Sequence, residues 1–273
     1  MLILLPPSEG KTRPASGPAL DMSTLSLPEL TPAREKMLDA LVRLCSGNAT
    51  RARKVLGLTA NQETEVQRNA VLRTEPVAPA LDVFTGVLFT HLAAGELNRT
   101  ARKWLQANTL IASGLFGFVA PDDDIPAHRL AADVSLAKLG GVASYWRKHV
   151  GSALADRADG SVVLDCRSQQ YALMWQPNVE AADQFVTTRV LQRTTIRGES
   201  TLKVVSHHNK ATKGLLVHAL AEARVKARTA PALHEAVRDL GFESFVEPTN
   251  GGTWRLDVIT DPLPLASGKA RPE

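Results

Sequence analysis

Four short apolar runs, each breaking off at once into a small or polar loop, constrain this chain more than any other feature of it. Leu2–Leu5 leads into Pro6-Pro7-Ser8-Glu9-Gly10-Lys11, and Thr109–Ala112 into Ser113-Gly114-Leu115-Phe116-Gly117. Ser161–Leu164 leads into Asp165-Cys166-Arg167-Ser168-Gln169-Gln170-Tyr171, and Leu202–Ser206 into His207-His208-Asn209-Lys210. Runs this short and this rich in Leu, Ile and Val read as strands. Helical patterns separate them, so the chain is expected to be a mixed α/β protein with a central mixed sheet. Ligands of such sheets sit beyond the carboxyl ends of the strands, so the four loops are expected to converge on one pocket.

The helical patterns fill in the rest. Periodicity runs through Ala33–Leu44 and stops at Ser46-Gly47, with shorter helices at Thr50–Leu56 and Gln62–Leu72. Asn98 is placed to cap a helix over Arg99–Ala107. Phe185–Leu191 reads as a further strand, and longer helices are expected at Ala211–Lys226 and at Ala232–Leu240, the latter closed by Gly241. Phe242–Glu247 and Thr253–Ile259, around Asn250-Gly251-Gly252, form a C-terminal hairpin. The expected organisation is a single domain over 1–262, with a helical insertion at about 32–107 and a disordered tail at 263–273.

Composition sets outer limits. With 44% hydrophobic residues but only 5% aromatic, the core must be built from Leu, Val, Ala and Ile. No apolar run approaches the roughly 20 residues that span a bilayer. The N-terminal residues lack the basic leader of a secretory signal, so the expected location is the cytoplasm and no membrane partner is expected. Two cysteines, Cys45 and Cys166, without a CxxC pair, exclude thiolate zinc and iron–sulfur sites and read as buried reduced thiols.

Net charge is +4, and its distribution is more informative than its size. One cluster is Arg51, Arg53 and Lys54; another runs from Lys203 through Lys210 and Lys213 to Arg228. Each is either a solvated helix face or a phosphate contact. Lys210 and Lys213, three apart at a helix start where backbone N–H groups favour anions, are the best phosphate-binding pair.

Several motifs fall short of familiar chemistry. Gly10-Lys11-Thr12 has the ending of a P-loop, but Leu5 stands where the first glycine belongs and Pro14 follows in place of a helix. Lys11 is left as a cation aimed at an anionic ligand. Ser113–Gly117, with two glycines, allows close approach of a ligand or another chain. Asp122-Asp123-Asp124 lacks the alternate spacing of a calcium loop and reads as a turn or a helix cap. His207 and His208, at a strand end, face opposite sides, and no metal or cofactor is expected.

The order and content of these loops resemble the YaaA peroxide-stress family. The resemblance is carried by Pro6–Thr12, by Phe84-Thr85-Gly86-Val87-Leu88, by Ser113–Gly117 with Pro126-Ala127-His128-Arg129-Leu130, by Ser144-Tyr145-Trp146, by Arg167–Tyr171 and by Asn209–Gly214. It implies a role in limiting peroxide damage by lowering reactive intracellular iron. It also implies DNA binding through a basic cleft and a helix-hairpin-helix element near Val55–Thr59, whose backbone N–H groups would grip phosphates of double-stranded or structured DNA with weak sequence specificity. The residues expected at that surface are Ser8, Lys11, Arg51, Arg53, Lys54, Ser113, Gly114, Phe116, Gly117, Arg129, His207, Lys210 and Lys213. The alternative is an enzyme acting on a nucleobase, nucleotide or damaged DNA, with a small nucleotide-like ligand in the strand-end pocket. Asp165, Ser168, Tyr171 and Lys210 would then supply the acid–base and electrostatic groups.

Overall fold

The computed structural model describes residues 1–196, 199–204 and 207–260. The strands are β1 (Leu2–Leu5), β2 (Val77–Pro79), β3 (Thr109–Ser113), β4 (Gly117–Val119), β5 (Asp124–Pro126), β6 (Ser135–Leu136), β7 (Gly140–Gly141), β8 (Val163–Asp165), β9 (Phe185–Ile196), β10 (Glu199–Val204), β11 (Ser244–Pro248) and β12 (Trp254–Thr260). The helices are α1 (Thr31–Cys45), α2 (Ala49–Leu56), α3 (Glu63–Ala70), α4 (Ala80–Val83), α5 (Val87–Leu92), α6 (Arg99–Asn108), α7 (Val142–Arg147), α8 (Gly151–Ala158), α9 (Gln169–Ala172), α10 (His207–Ala223) and α11 (Ala230–Asp239).

The mixed α/β expectation holds. An eight-stranded sheet runs in the order β11-β12-β9-β8-β1-β3-β4, with β10 added to β9. β1 pairs in parallel with both β3 and β8, β8 with β9, and β9 with β12; β4, β10 and β11 join antiparallel. Every residue of β1 and β3 is buried. That is why these segments read as continuous apolar runs: a parallel strand covered on both faces has no solvent side on which to alternate.

The five parallel strands, taken in chain order, lie second, first, third, fourth, fifth across the sheet. The chain therefore leaves β1 toward one side to form β3 and returns on the other side to form β8. The loops that follow β1 and β8 therefore leave the carboxyl edge in opposite directions, the arrangement that in open α/β sheets forms a crevice between them.

Local chemistry explains where the helices begin and end. The Asn98 carboxamide accepts the N–H groups of Thr100 and Ala101, as the sequence predicts, and Asn48 caps α2 through Arg51. Gly57, at φ +65°, ends α2 in the left-handed conformation that a Cβ disfavours. A continuous hydrophobic cluster extends from Leu2 to Val258 and takes in Met37, Leu41, Leu56 and Leu105 from the helical 32–107 segment.

The structure departs from expectation in two places. β9 continues to Ile196, because β10 pairs with its polar, threonine-bearing second half. β10 ends at Val204 and α10 opens at His207, so His207 and His208 belong to a helix start and not to a strand end. Their side chains, and the tail expected at 263–273, lie outside the described residues.

α10 packs closely on α5. A Cβ on Gly214 would lie 2.9 Å from His91 Cβ and 2.9 Å from the Leu92 nitrogen, and closer still to the Leu88 carbonyl oxygen. Gly214→Ala is therefore expected to destabilise the fold by roughly 1–3 kcal/mol, by overpacking two backbones that have no flexible side chain to yield. Urea unfolding of the variant measures this; an unchanged midpoint would show that the two helices separate freely.

Candidate functional site

The crevice is built from the loop after β1. Ser8 Oγ accepts the Thr85 N–H at 3.0 Å and donates to the Gly10 carbonyl at 2.6 Å. Lys11 bridges to Phe84 and the Thr12 N–H donates to the Val83 carbonyl. The two motifs Pro6–Thr12 and Phe84–Leu88, about 75 residues apart in sequence, are thus one structural unit. Lys11 Nζ donates to the Ser8 carbonyl at 2.9 Å and lies 5.2 Å from the centre of the Phe84 ring. Burial, with the positive charges of Arg129 and Arg68, draws the Lys11 pKa down to about 7 against the opposing pull of Glu65 and Glu9.

Arg129 reaches the same place from the other side. Its guanidinium donates to Glu9 Oε2 at 2.9 Å, while its backbone is fixed by Asn69, whose carboxamide accepts the Arg129 N–H and donates to the Arg129 carbonyl. Arg129 holds the Glu9 carboxyl below its ordinary range through a hydrogen bond and its charge, and Lys210 and Lys11 add to the effect. Basic side chains from three segments therefore act on one exposed carboxylate. Tyr171 borders this cluster; burial pushes its pKa up to about 12, against a hydrogen bond from the Ala132 backbone. Its phenol is protonated at neutral pH, so it serves as a hydrogen-bond donor and not as a base.

The structure brings Ser8, Lys11, Arg129, Tyr171 and Lys210 together and separates other expected site residues from them. Asp165 is buried and held by both branches of the Arg167 guanidinium, at 2.8 Å each. Arg167 also donates to the Tyr171 and Trp175 carbonyls, so this pair shapes the loop after β8 and is closed to acid–base work. Ser168 is exposed and opens α9. Lys213 is buried and donates to the Cys166 carbonyl at 3.0 Å; burial draws its pKa down. Only Lys210 of the expected lysine pair faces solvent.

Ser113, Gly114, Phe116 and Gly117 turn inward. The approach their glycines permit is by the protein's own chain: a Cβ on Gly114 would meet the Leu130 carbonyl, and one on Gly117, at φ +75°, would lie 2.7 Å from the Trp146 ring. Phe116 is fully buried edge-on to His128. The turn's carbonyls are taken by Trp146 Nε1 at Gly114 and by Arg34 Nε at Phe116, and Ser113 Oγ meets His128 Nε2 at 3.1 Å. Arg34, wholly buried, also donates to Phe118 and Ser26. Asp123 is a buried clasp as well, accepting from Ser26 and Ala120, which matches the turn expected of the aspartate run.

Around Val55–Thr59 two helices do meet through a tight turn. Its N–H groups, however, are engaged internally: Gly57 and Leu58 donate to the Lys54 and Arg53 carbonyls, and Thr59 donates to Gln62 Oε1. Arg53 pairs with Glu63 and contacts Thr50, leaving Arg51 and Lys54 as the exposed cations there. Cys45 and Cys166 are buried and free. Among the described residues, no three His, Cys, Asp or Glu side chains converge as a metal site, and no helix is long and apolar enough to cross a membrane.

Glu9, Asn69 and Phe84 are the site residues that sequence reasoning did not single out. Glu9 and Phe84 lie inside quoted motifs; Asn69, in the last turn of α3, carries no signal in the sequence.

The family model described as peroxide stress protein YaaA matches residues 1–244. A UPF0246 protein of Streptomyces coelicolor is 42% identical over 261 residues, covering 95% of this chain and 98% of the relative. A UPF0246 protein of Corynebacterium efficiens is 37% identical over 261 residues, 95% of this chain and all of the relative, and one of Corynebacterium glutamicum 34% over 267 residues.

The Lys11 shift makes a stability prediction. Between pH about 7 and 10.5 the unfolded chain binds a proton at Lys11 that the folded chain has released, so this residue makes stability rise with pH across that window. Lys11→Met removes this titration. The variant should exceed the native protein in stability at pH 6 and lose that advantage by pH 10, read from urea unfolding at both values. A difference that does not change with pH would place the Lys11 amine in a water-like environment.

Proposed function

The chain belongs to the family of peroxide stress protein YaaA, and from that premise we propose that it works in the peroxide stress response by holding the phosphate backbone of DNA at the crevice beyond β1 and β8. The observation that carries this reading is the pairing of Arg129 with the exposed carboxylate of Glu9 at 2.9 Å, where the charge of Lys210 also acts. Lys210 stands in the first turn of the 17-residue helix α10, whose first N–H groups add to the attraction for an anion. Glu9 is 79% exposed in its pair with Arg129, so an incoming phosphate can take the guanidinium with little disturbance of the core.

The reading differs from the one drawn from motifs alone. The lysine pair is reduced to Lys210, the helix-hairpin-helix turn contributes exposed Arg51 and Lys54 in place of turn N–H groups, and the Ser113–Gly117 turn supports the crevice from beneath. Contacts of this kind position DNA without reading its bases. We place the protein in the cytoplasm, where buried free thiols such as Cys45 and Cys166 stay reduced.

Binding of a fluorescent duplex should fall steeply with salt. Lys210→Ala should weaken it at every salt concentration and reduce the slope of log affinity against log salt by about one. Arg129→Ala should do the same. Binding of both variants that matches the native protein across about 50–200 mM salt would remove the crevice from the interaction.

A further inference from the structure

Phosphate contact leaves one group in this crevice unused. A lysine that serves only as a phosphate cation gains from exposure, and Lys210 is exposed. Lys11 is half-buried, capped by the Phe84 ring at 5.2 Å, and tethered through a single hydrogen bond to the Ser8 carbonyl. That tether is itself fixed, because Ser8 Oγ is bonded to Thr85 and Gly10. The charged groups that act on Lys11 come from every side: Glu9 from its own loop, Glu65 and Arg68 from α3, and Arg129 from the segment after β5. His128 is held well below its ordinary range by burial, with the charge of Lys11 adding to the effect. Acids and bases are nearly balanced there, and burial decides the outcome.

We propose that Lys11 is a nucleophile that forms a Schiff base with the aldehyde of a phosphate-bearing molecule held in this crevice. The proposal rests on the phosphate-binding reading for its anchor, with Arg129 and Lys210 taking the phosphate and Lys11 facing the carbonyl. The neutral amine attacks the carbonyl carbon, forming a C–N bond. The carbonyl oxygen then leaves as water with the two protons of the amine, and a C=N bond remains; no oxidant or reductant enters. A pKa of about 7 leaves about half of the Lys11 amines uncharged at pH 7, against roughly one in three thousand for an ordinary lysine. Two sources carry this chemistry: the ring-opened sugar of an abasic site in DNA, and a small sugar phosphate.

Reductive trapping distinguishes them. The full-length protein is incubated with cyanoborohydride and one of three probes: a duplex with one abasic deoxyribose, the same duplex intact, or glyceraldehyde 3-phosphate. Adducts are located by peptide mapping. The expected result is a stable adduct on Lys11 with the abasic duplex and none with the intact one, formed at a rate that climbs through about pH 7 and then levels. A Lys11 adduct with glyceraldehyde 3-phosphate alone keeps the nucleophile and makes a small molecule its substrate. Lys11→Arg should reduce trapping at least twentyfold; the map on the native protein decides the matter if that variant does not fold. No adduct with either aldehyde, or labelling spread over other lysines, overturns the proposal. If the intact duplex still binds in that case, the phosphate reading survives alone. If Lys11 is trapped while the intact duplex fails to bind, the DNA reading is the one that falls.

Discussion

Everything in the site follows from the parallel pairing of β1 on both of its edges. β1 is four residues long, and its neighbours come from positions more than 100 residues away. Because both neighbours run in its direction, three strand ends open on one edge, and because they lie on opposite sides, the loops after β1 and β8 part. The residues that gather in the gap owe their proximity to this arrangement. Neither Lys11 nor Arg129 has a local reason to be near the other; the sheet supplies one.

The charges beneath the crevice have a different task. Arg34, Asp165 with Arg167, and Lys213 are all buried and all spend their hydrogen bonds on backbone carbonyls or on one another. Removing an ion from water costs several kcal/mol, so such contacts add little net stability over apolar packing. Their effect is on shape. Each pins a loop whose carbonyls have no strand to pair with, and each would leave an unpaired buried group if cut. The turn at Ser113–Gly117 is held in this way by Arg34 and Trp146, and it supports His128 beneath Lys11.

The strands, the main helices and the caps at Asn98 and Gly241 were legible because each is written in a local pattern of apolar spacing or turn chemistry. The convergence of four strand-end loops was legible in part: the loops after β1 and β8 do flank one crevice, whereas the turn after β3 folds into the core. Its glycines signal close approach, but the sequence does not say whether the approaching atoms belong to a ligand or to Leu130 and Trp146. The second half of β9 was missed because a two-stranded extension needs no buried face and so shows no alternation. Arg53 and Asp165 read as available charges, since their partners, Glu63 and Arg167, are recognisable only once the backbone is folded.

Lys210 and Lys213 show the limit most clearly. Residues three apart on a helix lie on neighbouring faces, so the sequence gives them one role. What separates them is depth along the axis. Lys210 is in the first turn of α10, which projects past the sheet edge, while Lys213 lies a turn deeper, over the Cys166 carbonyl at the end of β8. A rise of about 4.5 Å is enough to carry one ammonium group into the interior and leave the other in solvent. The same contrast holds between Lys210 and Lys11. Lys210 is exposed; at Lys11, beside Phe84 and under the charges of Arg129, Arg68, Glu65 and Glu9, burial tips the balance toward the neutral amine. The chemistry available to each lysine is therefore set by its distance from the edge of the sheet, which is a property of the fold and not of the residue.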